Sequence, residues 1–162
     1  MCIRDSAKRA ISEHLEKLIL FWPYMAVVDA FQHWTYMNIE DAKEPTKCDK
    51  KWSELWHRYN PIVEWDEFQD VVATGWHNKL HLYHVPFYYV EYGIAQLGAI
   101  QIWEQAIENQ EEAVQKYRNA LSLGGNKPLP QLFSATGGKF AFDKEILGHA
   151  VDLVLRKIEE LK

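Results

Sequence analysis

Between His77 and Tyr92 the sequence concentrates side chains that hold, donate or accept protons: His77, His81, His84, Tyr88, Tyr89 and Tyr92. A phenol with an ordinary pKa near about 10 stays a neutral donor at pH 7. It can therefore point its proton at a developing oxyanion without changing charge, which is what acyl-transfer catalysis requires. Tyr89 and Tyr92 are three residues apart, and Tyr88 and Tyr92 four, so a helix starting at Pro86 gathers the phenols on adjoining faces. A nearby histidine would supply a second donor or bind a backbone carbonyl of a substrate. The same residues also read as packing, because aromatic stripes on helices usually belong to a core and tyrosine hydroxyls usually find an ordinary partner. Glu91 favours chemistry. A carboxylate buried unpaired in an apolar helix costs several kcal/mol, so it marks either an ion pair that fixes helix register or the edge of a site.

His77, His81 and His84 stand at i, i+4 and i+7, and neutral imidazoles stacked on one continuous helix can bind zinc. Pro86 lies just beyond them and no clear carboxylate ligand accompanies them, so packed, hydrogen-bonded histidines are the better reading. The seven histidines, at 14, 33, 57, 77, 81, 84 and 149, include no HExxH pair, and the chain has no P-loop, GxSxG elbow or CxxC. Gly124-Gly125 and Gly137-Gly138 read as helix stops rather than phosphate cradles.

These side chains must be positioned by helices. The chain has 162 residues, 48% hydrophobic and 25% charged, which fits one globular domain and excludes a disordered or low-complexity protein. Its net charge of −5 gives no electrostatic footprint for nucleic acid. Two cysteines, Cys2 and Cys48, make neither a disulfide framework nor a four-thiolate zinc site, and fit a reducing compartment. Val85 to Trp103 approaches the length of a membrane span, but Glu91, Gln96, Gln101 and its tyrosines are costly in lipid. A helix buried on all sides in a soluble protein is the expectation.

Ala7, Ile11, Leu15, Leu18 and Ile19 recur at helical spacing, and Pro23 should end or kink that helix near Phe21. A second apolar run, Tyr24 to about Met37, carries Asp29, Gln32 and His33 as isolated polar residues. Asn38 to Pro45 reads as a loop, and Thr46 with Asp49 as a capping box for a helix to Tyr59. Asp66 would cap a helix through Ala73. Asn109 with Glu112 starts a helix that turns Ala113, Tyr117, Ala120 and Leu121 inward, and Leu129 to Thr136 forms a short one. Asp143 caps the last helix, whose inward stripe is Leu147, Val151, Val154, Ile158 and Leu161. No strand pairs emerge, so the fold is all-α. Met1 to Asp5 fits no pattern and looks like translated adapter sequence, so residues 1–6 are expected to be a non-native leader before a domain spanning 7–162.

The block His81-Leu-Tyr-His-Val-Pro-Phe-Tyr-Tyr-Val-Glu-Tyr-Gly-Ile-Ala-Gln-Leu-Gly-Ala99 resembles the C-terminal part of oligoendopeptidase F, in the thimet oligopeptidase group of zinc metallopeptidases. So do Pro23-Tyr-Met-Ala-Val-Val-Asp-Ala-Phe-Gln-His-Trp34, Leu121-Ser-Leu-Gly-Gly125 and Pro128-Leu-Pro-Gln-Leu-Phe133. The similarity runs from Ala7 to Lys162. It implies an all-α fold, the helical C-terminal half of a clam-like zincin metallopeptidase catalytic domain that hydrolyses short peptides. The family's zinc ligands, from an HExxH helix and a following glutamate, would lie upstream, so the zinc cofactor is expected to be held by a missing N-terminal part and not by this chain. In the implied mechanism zinc polarises the scissile carbonyl and activates water. Tyr92 would donate to the oxyanion, and Tyr89 and His81 would orient the substrate backbone. Family spacing leaves His84 as an alternative to His81, Tyr88 either binds substrate or faces the core, and His77 receives no role. The resemblance further implies a cytoplasmic enzyme with peptide substrates, no nucleic acid and no membrane, inactive as a fragment. A non-catalytic helical module that binds peptide or serves structure is the alternative.

Overall fold

The computed structural model describes residues 3–162, and every regular element among them is helical. The α-helices are α1 (Ile3–Met37), α2 (Ile39–Ala42), α3 (Pro45–Tyr59), α4 (Gln69–Ala73), α5 (Leu80–His84), α6 (Tyr89–Glu108), α7 (Gln110–Ser122), α8 (Leu129–Ala135) and α9 (Lys144–Glu159). They form two compact units, one of Leu20–Gly93 and one of Met1–Ile19 with Ile94–Lys162. The expected leader falls partly outside the described residues, and from Ile3 the chain is already helical.

Proline does not end α1. The helix runs through Pro23 as a single element. A proline removes one backbone donor, that to the carbonyl four residues back, at a cost of about 3 kcal/mol. Burial of Trp22, Val27, Val28 and Phe31 on the following turns offsets that cost. Tertiary packing thus overrides a local breaker.

The Leu20–Gly93 unit is built on a core of Val27, Val28 and Phe31 from α1 with Cys48, Trp52 and Leu55 from α3. The α3 residues fall at i, i+4 and i+7, one helical stripe. Phe31 meets Trp52 edge-on at 5.2 Å and stacks on Trp34 at 5.8 Å. Helix α3 begins at Pro45, which occupies the first turn where a missing N–H costs nothing. The expected Thr46–Asp49 capping box is therefore absent. Asp49 instead accepts a hydrogen bond from Trp76 Nε1 at 2.7 Å and lies 3.5 Å from His77 Nε2. The Asn38–Pro45 stretch is not all loop, since Ile39–Ala42 closes one helical turn.

In the other unit the capping expectations hold. Asn109 accepts from the Glu112 amide at 3.2 Å, and Asp143 from the Ile146 amide at 2.8 Å. Gly137, at φ +81, ends the turn after α8. The inward stripe of α9 is Ala150, Leu153, Val154 and Ile158, rotated from the one expected, with Leu147 exposed. On α7, Ala113 and Ala120 are buried, whereas Tyr117 and Leu121 are exposed. Those two residues line an open apolar groove of about 500 Å³ with Ala99, Ile102, Leu129 and Phe133.

Helix α6 is not buried on all sides. Gly93, Leu97, Gly98 and Ile100 are buried, while Glu91, Tyr92, Ala95 and Ala99 are exposed. Glu91 accordingly needs no buried partner, and its expected value as a site marker lapses. No helix among the described residues is long and apolar enough to cross a membrane.

Candidate active site

The candidate residues gather at the junction of α5 and α6, within the Leu20–Gly93 unit. The histidines do not share one continuous helix. His81 and His84 lie on the five-residue α5, and His77 precedes it, taken up by Asp49. Nor does α6 begin at Pro86. Tyr88 stands outside the helix, Tyr89 is its first residue and Tyr92 sits one turn in.

The reason lies at Phe87, which adopts φ 60, a left-handed conformation costing about 1–2 kcal/mol for a residue with a Cβ. Its amide donates to Gln32 Oε1 at 3.2 Å, and its ring lies 5.0 Å from both His33 and Tyr36. Gln32 is only 1% exposed and reaches this turn from α1, 55 positions away in sequence. It is a positioning residue that sequence reasoning did not assign. The available signal was its polarity within an otherwise apolar run.

His81 is the hub. Its Nε2 lies 3.2 Å from the Tyr92 hydroxyl. Its ring stacks nearly parallel to Tyr88 (6.1 Å, 13°) and meets Tyr89 and Tyr92 edge-on at 5.1 and 5.7 Å. Tyr92 contacts Tyr88 and Tyr89, both at 5.4 Å between ring centres. Tyr92 remains 41% exposed and Tyr88 45%, so both hydroxyl-bearing rings reach solvent. His84, at the end of α5, is exposed and makes no ring contact or hydrogen bond with the tyrosines among the described residues. The geometry thus unites His81, Tyr88, Tyr89 and Tyr92, and leaves His84 apart.

Tyr89 differs from its neighbours. Its ring packs against the core cluster, edge-on to Tyr24 at 5.7 Å and beside Phe21 at 6.2 Å. Burial, then a hydrogen bond with Tyr24, push its phenol well above the usual tyrosine range, against a smaller opposing pull from Lys79. It therefore stays neutral at pH 7 and well into the alkaline range. The core-facing tyrosine is thus Tyr89, not Tyr88.

Among the described residues no group of three or more His, Cys, Asp and Glu side chains could hold a metal. Imidazole and carboxylate meet only in pairs: His33 with Asp29, His77 with Asp49 and His149 with Glu104. A catalytic zinc needs three protein ligands, and the residues present do not fit one.

The model of peptidase family M3 matches residues 4–151, and the chain belongs to that family. A structure of PZ peptidase A with an inhibitor superposes with a TM-score of 0.84 at 29% identity, over 92% of this chain and 26% of that one. An X-ray structure assigned as oligoendopeptidase F gives a TM-score of 0.83 at 28% identity, over 94% of this chain and 27% of that one. The chain therefore spans about a quarter of the length of these structures. No curated protein matches it.

Proposed function

We propose that this chain is part of the catalytic domain of a zinc-dependent metalloendopeptidase that cuts short peptides in the cytoplasm. It supplies the substrate-binding, oxyanion-stabilising wall. Zinc ligands are assigned to residues of the complete enzyme outside these 162, because no group of three or more His, Cys, Asp and Glu side chains among the described residues could hold a metal. The observation that carries the reading is the hydroxyl of Tyr92, an exposed residue, 3.2 Å from His81 Nε2.

With the imidazole protonated on Nε2, His81 donates to the Tyr92 oxygen and leaves the phenol proton free. That proton then meets the carbonyl oxygen of the scissile bond. As the carbon becomes tetrahedral, charge grows on this oxygen and the hydrogen bond strengthens, so the transition state gains more than the ground state. Tyr88, parallel to His81, forms the wall of the site, and Tyr89, held neutral by burial, fixes His81 edge-on and orients the substrate backbone. His84 is a further substrate contact at the rim.

Replacing Tyr92 with Phe in the complete enzyme tests this. Loss of one oxyanion donor costs about 2.7–4 kcal/mol, a fall of about 10²–10³ in kcat with little change in KM. A kcat within about a factor of two of wild type would remove Tyr92 from the mechanism. The second reading, a helical module without chemistry, takes its support from the packing of Tyr89 on Tyr24. It expects no activity to depend on these tyrosines.

A further inference from the structure

The tyrosine cluster has a cation at its edge that oxyanion stabilisation does not use. Lys79 precedes His81 by two residues, so their Cα atoms are no more than about 7 Å apart. It stands at the start of α5, held at both ends of its backbone. Its amide donates to the Trp76 carbonyl at 3.1 Å, and its carbonyl accepts from the Leu82 amide at 2.9 Å. The residue is half-buried, and its Nζ lies 5.0 Å from the centre of the Tyr24 ring. Tyr24 meets Tyr89 at 5.7 Å, and Tyr89 meets His81 at 5.1 Å and Tyr92 at 5.4 Å. The positive charge is close enough to act on the Tyr89 phenol, where it opposes burial.

Lys79 makes no ion pair among the described residues. The carboxylate of Asp49, which serves the neighbouring segment, is engaged by Trp76 Nε1 at 2.7 Å and faces His77. The Tyr24 ring attracts the ammonium through its π face but offers that face no lone pair. The hydroxyls of Tyr24 and Tyr89 bond to each other. Two hydroxyls bring two protons and one bond between them uses one, so a phenol proton is left over beside the ammonium. This corner therefore combines a positive charge with a surplus of donors. An ionised carboxylate, with about four acceptor sites and no proton, matches both, and charge-assisted bonds to it are roughly twice as strong as neutral ones. The ring-to-ring steps from Tyr24 through Tyr89 put the ammonium within about 16 Å of the Tyr92 ring, a span of about five extended residues.

We propose that Lys79 is a specificity-determining residue that binds a carboxylate of the peptide substrate within about five residues of the scissile bond. The inference rests on the peptidase reading. The carboxylate is either the C-terminus of a short peptide or an Asp or Glu side chain.

The test uses the complete enzyme and hexapeptides of one common sequence, with a free or amidated C-terminus and Gln or Glu at the fifth residue, their cleavage followed by chromatography. The amidated Gln peptide should be the poorest substrate, and one added carboxylate should raise kcat/KM about tenfold, through KM. A gain on freeing the C-terminus assigns the terminal carboxylate, and a gain from Gln to Glu assigns a side chain. Lys79→Met should erase the preference by raising KM for the carboxylate peptides, and Lys79→Arg should keep it. Lys79→Glu should instead favour an amidated peptide with Lys at the fifth residue. A lysine that only supported the Tyr24 ring would affect all of these peptides alike. Equal kcat/KM for all four peptides, or a preference that survives Lys79→Met, overturns the proposal and leaves the peptidase reading standing. If the complete enzyme cleaves none of them, the peptidase reading falls and the role of Lys79 falls with it.

Discussion

Two helical glycines in the same unit, Gly98 on α6 and Gly148 on α9, offer a matched test of how the helices are packed. Replacing either with alanine gains up to about 1 kcal/mol in helix propensity, because a glycine in a helix interior loses more backbone entropy than alanine. What the added methyl meets is different. Nothing lies within 4 Å of a Cβ at Gly148. A Cβ at Gly98 would stand 2.7 Å from Phe133 Cε1 and 2.9 Å from Cζ. The Phe133 ring cannot simply yield, since it packs edge-on against Phe140 at 5.1 Å. Overpacking of this kind costs about 1–3 kcal/mol. The propensity gain is common to both sites and cancels in the comparison, which leaves the steric cost.

Gly148→Ala is expected to stabilise by about 0.5–1 kcal/mol, and Gly98→Ala to range from neutral to about 2 kcal/mol destabilising. Urea denaturation with an unchanged m-value reads both, and the two variants should differ in Tm by several degrees, at about 2–4 °C per kcal/mol for a chain of this size. Equal stability of the two variants would refute the reasoning, since it would mean that α8 does not press Phe133 onto α6 at Gly98.

Gln32→Leu removes the acceptor of the Phe87 amide but also removes Gln32 Nε2, a buried donor without a partner. The two effects offset, so stability should change by less than about 1–2 kcal/mol while hydrogen exchange at the Phe87 amide accelerates; unchanged exchange would show that Gln32 does not hold the turn. Tyr89 has its pKa raised in the folded state, so it contributes stability that is complete below the ordinary tyrosine pKa near about 10 and is lost as pH rises beyond it. Urea midpoints should therefore fall less steeply on alkaline titration in Tyr89→Phe than in wild type. Asp143→Ala leaves the Ile146 amide without its 2.8 Å acceptor and should cost about 1 kcal/mol in urea.

What was legible in the sequence was what short-range chemistry decides. Asn109 and Asp143 cap their helices because each acceptor needs only the amide three residues on, and Gly137 stops the turn after α8 because it tolerates positive φ. The all-α architecture followed from periodicity, and membership of the peptidase family from two long blocks in the right order. Where the reading failed, a distant partner decided. Pro23, expected to end or kink the first helix, does not end it, because Trp22, Val27 and Val28 are buried around it, and Asp49 is drawn from its expected capping role to Trp76, 27 positions on. The α9 stripe rotated because periodicity fixes a face only to within a residue, and Ala150 passes for surface as readily as for core.

The tyrosines combine both cases. Their spacing placed them in one neighbourhood, but their separate roles depend on where α6 begins, and that is set by Phe87 and by Gln32 from α1. Had the helix started at Pro86, Tyr88 would have taken a place in its first turn; as it is, Tyr88 precedes the helix, stacked on His81 and open to solvent. Tyr89, the first helical residue, turns into the core and loses its acidity to burial, and Tyr92, one turn later, comes back to the surface beside His81. One left-handed residue thus gives three chemically identical phenols three different surroundings: stacked on His81 in solvent, packed into the core, and hydrogen-bonded to His81 at the surface. A change at Phe87 or Gln32 should therefore disturb the Tyr92–His81 pair although neither residue touches it.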